Sequence, residues 1–235
     1  MILLANGCSW TAGGGLDTCI TDRNALDQIT WPKHLAELMN ADDFVNLAEG
    51  CGSNQRMFRT TFEYLLNTDE HDITAVIQFT EESRYEYYFP LDISDDHENI
   101  SERWMRAKTE NLTPHIPEME GIRDDHYKVS QQRIKYHNSG IQNITTYIER
   151  CEAFASMFNR HNITYYFWDM QDAPYRFPEP YRKYLLESFN WLQLNSNGQW
   201  DFWKYERIDE FDLHPSINGN KQLADTIFNA IKKDL

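Results

Sequence analysis

The hydrophobic positions along the chain predict β-strands that alternate with α-helices. Four short, mostly apolar runs have the pattern of strands buried on both faces of a sheet. They lie at residues 2–5, 44–48, 73–80 and 163–168, and a short fifth strand is predicted at 200–203. Helical spacing of apolar residues follows Thr30, covers residues 54–66, 130–160 and 181–191, and follows Ser216. This alternation predicts an α/β fold with a parallel sheet, right-handed crossovers and helices on both faces.

The alternation stops between residues 81 and 127, where the sequence becomes acidic and aromatic. This stretch is too long for an ordinary connection, so we interpret it as an insertion at the rim of the domain with some helix of its own. Such an insertion could shape a substrate pocket, or it could be a solvated decoration or an oligomer contact. The whole chain, residues 1–235, is predicted to form one domain that carries this insertion.

Charge and composition narrow the classes of function. The net charge of −15 argues against binding to nucleic acid or to acidic membranes. No apolar stretch is long enough to span a bilayer and no signal peptide is evident, so a soluble, cytoplasmic protein is expected, with association with a virion as an alternative. The four cysteines show no metal-binding or disulfide spacing, and we expect no metal and no cofactor. Aromatic residues make up 14% of the chain, which suits core packing or stacking on sugar rings.

Two segments far apart in the sequence carry candidate chemistry. Ser9 lies in a glycine-rich turn directly after the first predicted strand, at the sheet edge where α/β proteins bind ligands. It could be a nucleophile there, or it could cap a helix. Asp212 and His214 precede the last helix, and residues two apart in an extended chain point the same way. The carboxylate could therefore orient the imidazole as a base, and the topology allows His214 to meet Ser9.

These segments resemble the SGNH (GDSL-type) hydrolase family of esterases and acetylesterases. The resemblance rests on three motifs: Gly-x-Ser after the first strand, Asn-x-Ala before a glycine-rich Ser-Asn turn, and Asp-x-His-Pro-Ser before the final helix. It implies a flavodoxin-like, three-layer α/β/α sandwich with a parallel sheet of about five strands. It also implies Ser9 as the nucleophile, His214 as the general base and then acid, and Asp212 as the residue that orients His214.

The resemblance further implies an oxyanion hole formed by backbone N–H groups of Ser9 and of a glycine in the second turn. We predict Gly52 for that glycine, with Gly50 as the alternative, because glycine allows close backbone approach. The side-chain amide of Asn54 could add a donor.

The chain departs from the family pattern at three places. Cys8 stands where the family has Asp, and Phe211 stands where the family has its acid, three residues before the histidine. Asp212 is therefore inferred from chemistry, and Asp209 and Glu210 are the alternatives.

The family's Gly-x-Asn-Asp block is replaced by Phe-Thr-Glu-Glu at residues 79–82. Asn54, Thr80 or Arg84 could supply the missing donor, or the oxyanion hole is weaker than in the family.

The sequence therefore predicts a serine esterase acting on small acyl esters through an acyl-enzyme, with acetyl esters and O-acetylated carbohydrate as the expected substrates. Two other classes of protein compete with this prediction. One is a non-catalytic domain of the same fold that binds carbohydrate or builds a larger assembly such as a virion. The other is a flavin or nucleotide binder that uses the triple glycine at residues 13–15, although no phosphate-binding motif is present.

Overall fold

A computed structural model describes residues 1–50, 52–80, 84–88, 104–108, 140–169, 176–194 and 205–232 of the chain. The strands are β1 (Ile2–Asn6), β2 (Asp43–Asn46), β3 (Ile73–Phe79), β4 (Arg84–Tyr88), β5 (Trp104–Lys108) and β6 (Thr164–Asp169). The helices are α1 (Ser9–Ala12), α2 (Arg23–Asp27), α3 (Trp31–Leu38), α4 (Asn54–Asn67), α5 (Gly140–Arg160), α6 (Tyr181–Ser188) and α7 (Ile217–Ile231). A short 3₁₀ turn covers Leu16–Thr18.

The main sheet confirms the predicted parallel α/β arrangement. Its four strands pair in the order β2-β1-β3-β6, and every pair is parallel. β1 lies in the interior of the sheet because it pairs with β2 on one side and β3 on the other, which explains its continuous apolar sequence. The carboxyl ends of β1 and β3 therefore lie next to each other, with Asn6 opposite Ile77.

Beyond β6, the sheet is extended by a single parallel bridge between Phe167 and Trp191. The fifth strand predicted at residues 200–203 lies outside the described residues. The helix predicted over 181–191 ends earlier, at Ser188. The residues that follow it run beside β6, where the backbone N–H of Leu192 donates to the carbonyl of Phe167 (2.7 Å).

Two described stretches within the predicted insertion are strands rather than helix. β4 and β5 form an antiparallel pair in which Arg84 is opposite Lys108 and Tyr88 is opposite Trp104. The remainder of the predicted insertion lies outside the described residues.

Consecutive residues of β6 pack against helices on opposite faces of the sheet. Phe167 packs against Phe154 and Phe158 of α5, whereas Trp168 packs edge-on against Trp31 of α3. Since side chains alternate across a strand, α5 covers one face and α3 covers the other. α4 lies beside α5 and α7 lies beside α3, which completes the three-layer α/β/α arrangement.

Many aromatic side chains pack together in the core on the face of the sheet that α5 covers. Phe79 of β3 contacts the rings of Tyr147, Phe154, Phe167 and Trp191 at centroid distances of 5.1–5.9 Å. Aromatic pairs in such geometries contribute about 0.5–1.5 kcal/mol each beyond the area that they bury. This cluster anchors β3 and β6, which carry the sheet edge beside the predicted site.

The side-chain cap predicted for the last helix is confirmed, whereas Thr30 does not cap α3 with its side chain. Ser216 is the N-cap of α7, and its hydroxyl accepts the N–H of Gly219 (3.1 Å). Thr30 occupies the N-cap position of α3, but its hydroxyl donates to the carbonyl of Asp27 (2.9 Å) and makes no capping bond.

Candidate active site

Ser9 is the first residue of α1, immediately after the turn that leaves the carboxyl end of β1. Cys8 holds the N-cap position of this helix, so the alternative in which Ser9 caps the helix does not apply. The Oγ atom of Ser9 lies 2.8 Å from Nε2 of His214. The fold thus brings together two side chains that are 205 positions apart in the sequence.

Asp212 holds the other side of the imidazole. Its Oδ1 atom lies 2.6 Å from Nδ1 of His214 and also accepts the backbone N–H of His214 (2.9 Å). An ionised carboxylate only accepts hydrogen bonds, so it assigns the ring proton to Nδ1. Nε2 is then left as the acceptor for the hydroxyl proton of Ser9, which is the arrangement of a serine activated by a base.

The alternatives to Asp212 have other positions. Oδ1 of Asp209 accepts the backbone N–H groups of Phe211 and Asp212, both at 2.7 Å, and so shapes the turn that presents Asp212. Glu210 is exposed. Of the three acids considered, Asp212 is the one that contacts His214.

Hydrogen bonding keeps Asp212 ionised. Partial burial raises the pKa of its carboxyl group, but the backbone and ring hydrogen bonds from His214 outweigh that effect, and the pKa lies below its ordinary value. The side chain of Asp212 is 32% exposed and that of His214 is 29% exposed, so the pair lies at the surface of the protein rather than in its core.

The triple glycine lies against this pair of residues. A Cβ atom on Gly14 would lie 2.8 Å from Cβ of Ser9 and 3.0 Å from Nε2 of His214. Gly15 has a φ of +80°, and a Cβ there would collide with Oδ2 of Asp212. The absence of side chains at residues 14 and 15 is therefore required by the close approach of this loop to Ser9, His214 and Asp212. From the sequence, these glycines suggested only a possible nucleotide-binding turn.

Of the predicted oxyanion donors, some already donate hydrogen bonds within the protein. The backbone N–H of Ser9 has no acceptor within the described part of the chain, as is usual in the first turn of a helix. Gly52 does lie against the turn before Ser9 (residues 6–8), since a Cβ there would be 3.1 Å from the carbonyl oxygen of Gly7. Its N–H, however, donates to the carbonyl of Glu49 (3.0 Å).

Asn54 also has an internal role. Its Nδ2 donates to the carbonyl of Thr80 (3.0 Å), and its Oδ1 accepts the N–H of Thr80 (2.9 Å). Donation to an oxyanion by Gly52 or Asn54 therefore stays a prediction. Gly50, the alternative glycine, has nothing within 4 Å of where its Cβ would lie, and the side chain of Arg84 lies outside the described residues.

The turn before Ser9 and the helix that follows it are also hydrogen-bonded to the surrounding helices. Asn6 accepts the N–H of Gly7 (2.8 Å) and donates to the hydroxyl groups of Thr60 and Thr61 on α4 (2.9 and 3.0 Å). On the other side, the side chain of Arg23 donates to the carbonyl of Ala12 (3.2 Å). These polar contacts could not be anticipated from residue spacing.

Neither a metal site nor a membrane span is found in the part of the chain that the structure describes. In those ranges, no three His, Cys, Asp or Glu side chains are grouped to hold a metal ion. None of the helices described there combines the length and the apolar character needed to cross a bilayer.

Comparison with known proteins gives the family and the fold. The model of a family described as "Family of unknown function (DUF6071)" matches residues 16–195. No curated protein sequence matches the chain. Among solved structures, TesA aligns over 100% of both chains at 11% identity, with a TM-score of 0.51.

Two further solved structures are named as a lipolytic protein and as an esterase. A member of the lipolytic protein G-D-S-L family from Veillonella parvula aligns over 99% of both chains at 9% identity, with a TM-score of 0.49. The esterase EstA from Pseudoalteromonas sp. aligns over 99% of this chain and 97% of its own at 12% identity, with a TM-score of 0.48.

At these identities the similarity concerns the fold, and it confirms the fold that the resemblance implied. The matched range of the family model lies between Ser9 and His214. The chain has the fold of the SGNH (GDSL-type) hydrolases and belongs to DUF6071, a family of unknown function.

Proposed function

We propose that the protein is a serine esterase that hydrolyses small acyl esters. The observation that carries the proposal is the chain of contacts from Ser9 Oγ to His214 Nε2 (2.8 Å) and from His214 Nδ1 to Asp212 Oδ1 (2.6 Å). The SGNH-type fold supports the same reaction class.

The reaction follows from the positions of these atoms. The Ser9 hydroxyl attacks the ester carbonyl carbon while Nε2 of His214 takes the hydroxyl proton. The tetrahedral oxyanion is stabilised by the N–H of Ser9, with Gly52 and Asn54 as the further predicted donors. His214 then gives its proton to the departing alcohol, which leaves an acyl group on Ser9. Water, deprotonated by His214, attacks this acyl-enzyme and releases the acid, and the proton returns to Ser9.

An uncharged substrate with a small acyl group is the proposed class. The net charge of −15 disfavours an anionic ester. Acetyl is the first acyl group to test, with an O-acetylated sugar as the alcohol part, and a plain short-chain ester fits the same chemistry. We expect no nucleic-acid partner and no membrane association, and a cytoplasmic or virion-associated location stays a prediction.

A non-catalytic role on the same fold is the competing proposal. It is favoured by the commitment of the Gly52 N–H and the Asn54 amide to acceptors within the protein. Losing one oxyanion donor typically lowers kcat by about 10²–10³-fold. The two proposals therefore predict measurably different rates of ester hydrolysis.

The deciding experiment is the hydrolysis of p-nitrophenyl acetate, butyrate and octanoate by the parent and by Ser9→Ala and His214→Ala. Removing the nucleophile or the base is expected to lower kcat/KM by at least about 10²-fold. Ser188→Ala and His161→Ala are the matched controls, because both residues are exposed and neither contacts Ser9 or His214. A parent that is no faster than the Ser9 variant on all three esters, and that does not react with a fluorophosphonate, would support the non-catalytic role.

A further inference from the structure

Gln78 is a fully buried amide in a strand that is otherwise apolar around it. It lies near the carboxyl end of β3, one residue after Ile77, which is paired with Asn6 of β1. Gln78 is therefore level with Gly7, where the chain leaves β1 and turns toward Ser9. A Cβ on Gly7 would lie 2.7 Å from Oε1 of Gln78, so this side chain packs directly under the turn.

Hydrogen bonds connect Gln78 to residues on both sides of the nucleophile. Oε1 accepts from the hydroxyl of Thr11, two residues after Ser9. It also lies 3.7 Å from the thiol of Cys8, one residue before Ser9. The two residues that flank the nucleophile within one helical turn are thus held by one buried oxygen atom.

Trp31 also contacts the Thr11 hydroxyl. Its indole Nε1 lies 3.3 Å from Oγ1 of Thr11, and an indole nitrogen can only donate. The Thr11 hydroxyl accepts that bond and donates its own proton to Oε1 of Gln78. Oε1 thus faces Thr11, and Nε2 lies on the other side of the amide.

Nε2 of Gln78 is buried and has no hydrogen-bond partner within the described ranges. A buried donor without a partner destabilises the folded state, and an apolar side chain of similar volume would avoid that cost. The donor half of the amide therefore adds nothing to fold stability, and the role of Gln78 comes from Oε1. The hydrogen bonds to Thr11 and Cys8 are the feature that a nonpolar residue could not replace.

The helix that carries Ser9 needs such support from outside. α1 has four residues, and its N-cap residue, Cys8, makes no side-chain capping bond. A helix of one turn is not stable by itself. Its orientation, and with it the direction of the Ser9 hydroxyl, depends on bonds to neighbouring elements.

We propose that Gln78 is a positioning residue for Ser9: its buried Oε1 orients α1 through Thr11 and Cys8 so that the Ser9 hydroxyl faces Nε2 of His214. This inference rests on the proposed function. It assigns a role to a residue that touches neither the substrate nor the reacting atoms, at a position that the sequence analysis did not single out.

Gln78→Met tests the inference because it keeps the volume and removes both the acceptor and the unpartnered donor. We expect the variant to stay fully folded at the assay temperature, with a somewhat lower melting temperature, because the loss of the unpartnered Nε2 only partly offsets the buried Thr11 hydroxyl that is left without its acceptor. We expect kcat for p-nitrophenyl acetate, and the rate of fluorophosphonate labelling of Ser9, to fall by about 10–100-fold, because small misplacements of reacting groups have effects of that size. KM should stay within about twofold of the parent value.

Three threonine variants separate positioning from a general loss of packing. Thr11→Val removes the hydroxyl that donates to Gln78 and should lower kcat in the same way as Gln78→Met. Thr11→Ser keeps that hydroxyl and should keep kcat. Thr74→Val makes the same chemical change on the same face of β3 but at its other end, where the hydroxyl contacts Met1 Sδ (3.2 Å), and should leave kcat unchanged.

The outcomes distinguish this inference from the proposed function. If the parent is active and Gln78→Met has the same kcat, or loses activity only in proportion to its unfolded fraction, the positioning role is overturned while the esterase proposal stands. If the parent neither hydrolyses the ester nor reacts with the fluorophosphonate, the esterase proposal fails and the positioning role fails with it. A lower kcat in a variant that is fully folded at the assay temperature supports the positioning role.

Discussion

Gly14→Ala places one methyl group between the two side chains proposed to do the chemistry. Gly14 has no positive φ, so alanine fits the backbone there and the substitution acts through sterics alone. The new Cβ would lie 2.8 Å from Cβ of Ser9 and 3.0 Å from Nε2 of His214, whereas ordinary contacts begin at 3.4 Å. Ser9 must then recede by at least 0.6 Å (3.4 − 2.8) and His214 by at least 0.4 Å (3.4 − 3.0).

Such shifts break a short hydrogen bond at a small cost in stability. The Ser9 Oγ to His214 Nε2 distance is 2.8 Å in the parent, and displacements of this size move it toward or beyond the limit of a hydrogen bond. We expect kcat to fall by about 10²-fold, the usual effect of misplacing a catalytic group by about 1 Å. Overpacking costs about 1–3 kcal/mol, offset by about 0.4–1 kcal/mol from the lower entropy of the unfolded chain, so the variant should remain folded.

Steady-state hydrolysis of p-nitrophenyl acetate, together with the melting temperature, is the assay. Ser188→Thr is the control: it also adds one methyl group, but at an exposed position that contacts neither Ser9 nor His214. We expect the control to match the parent in kcat. A Gly14→Ala variant that retains the parent's kcat and KM would refute the view that the close Ser9–His214 approach is the catalytic geometry.

Three more substitutions test the electrostatics and the support of the site. Asp212→Asn should lower kcat by about 10³–10⁴-fold, because the amide no longer fixes the His214 tautomer. The hydrogen bonds from His214 hold the folded-state pKa of Asp212 below its ordinary value. Its charge therefore stabilises the parent above the ordinary carboxyl pKa, and this contribution is lost as the pH falls through the lower, folded-state pKa. Acid unfolding of the variant should lack this contribution. Tyr147→Phe removes a hydroxyl that donates to buried Asp169 (2.8 Å) and should lower the free energy of unfolding in urea by about 1–3 kcal/mol. Asn6→Ala removes the hydrogen bonds that connect the turn before Ser9 to α4, and should lower the free energy of unfolding by a similar amount in the same assay. It should also lower kcat more than Tyr147→Phe does.

Local patterns were enough to predict the sheet and its interior strands. The apolar runs at β1 and β3 are continuous because both strands have neighbours on each side and helices on each face. The ends were less predictable: α6 stops at Ser188, and the next residues pair with β6, because packing against Phe167 outweighs a continuing helical pattern.

The site was predictable where its chemistry depends on short spacing or on topology. Asp212 and His214 are two residues apart, and the parallel sheet brings Ser9 to the same edge. The contacts of Gly14 and Gln78 depend on distances between elements that are far apart in the sequence. No local signal distinguishes a glycine beside an imidazole from one in an ordinary turn.

The two proposed reacting groups come from segments that are far apart in the sequence, and this has a consequence for synthesis. Ser9 and His214 are 205 positions apart, so on a ribosome adding about 5–20 residues per second, His214 is made roughly 10–40 s after Ser9. β1 can enter a growing sheet during that interval, while the Ser9 hydroxyl has no base beside it. Under the proposed function, the nascent chain would therefore be unreactive toward esters, and hydrolysis would begin only when α7 docks against α3 and His214 comes to lie beside Ser9.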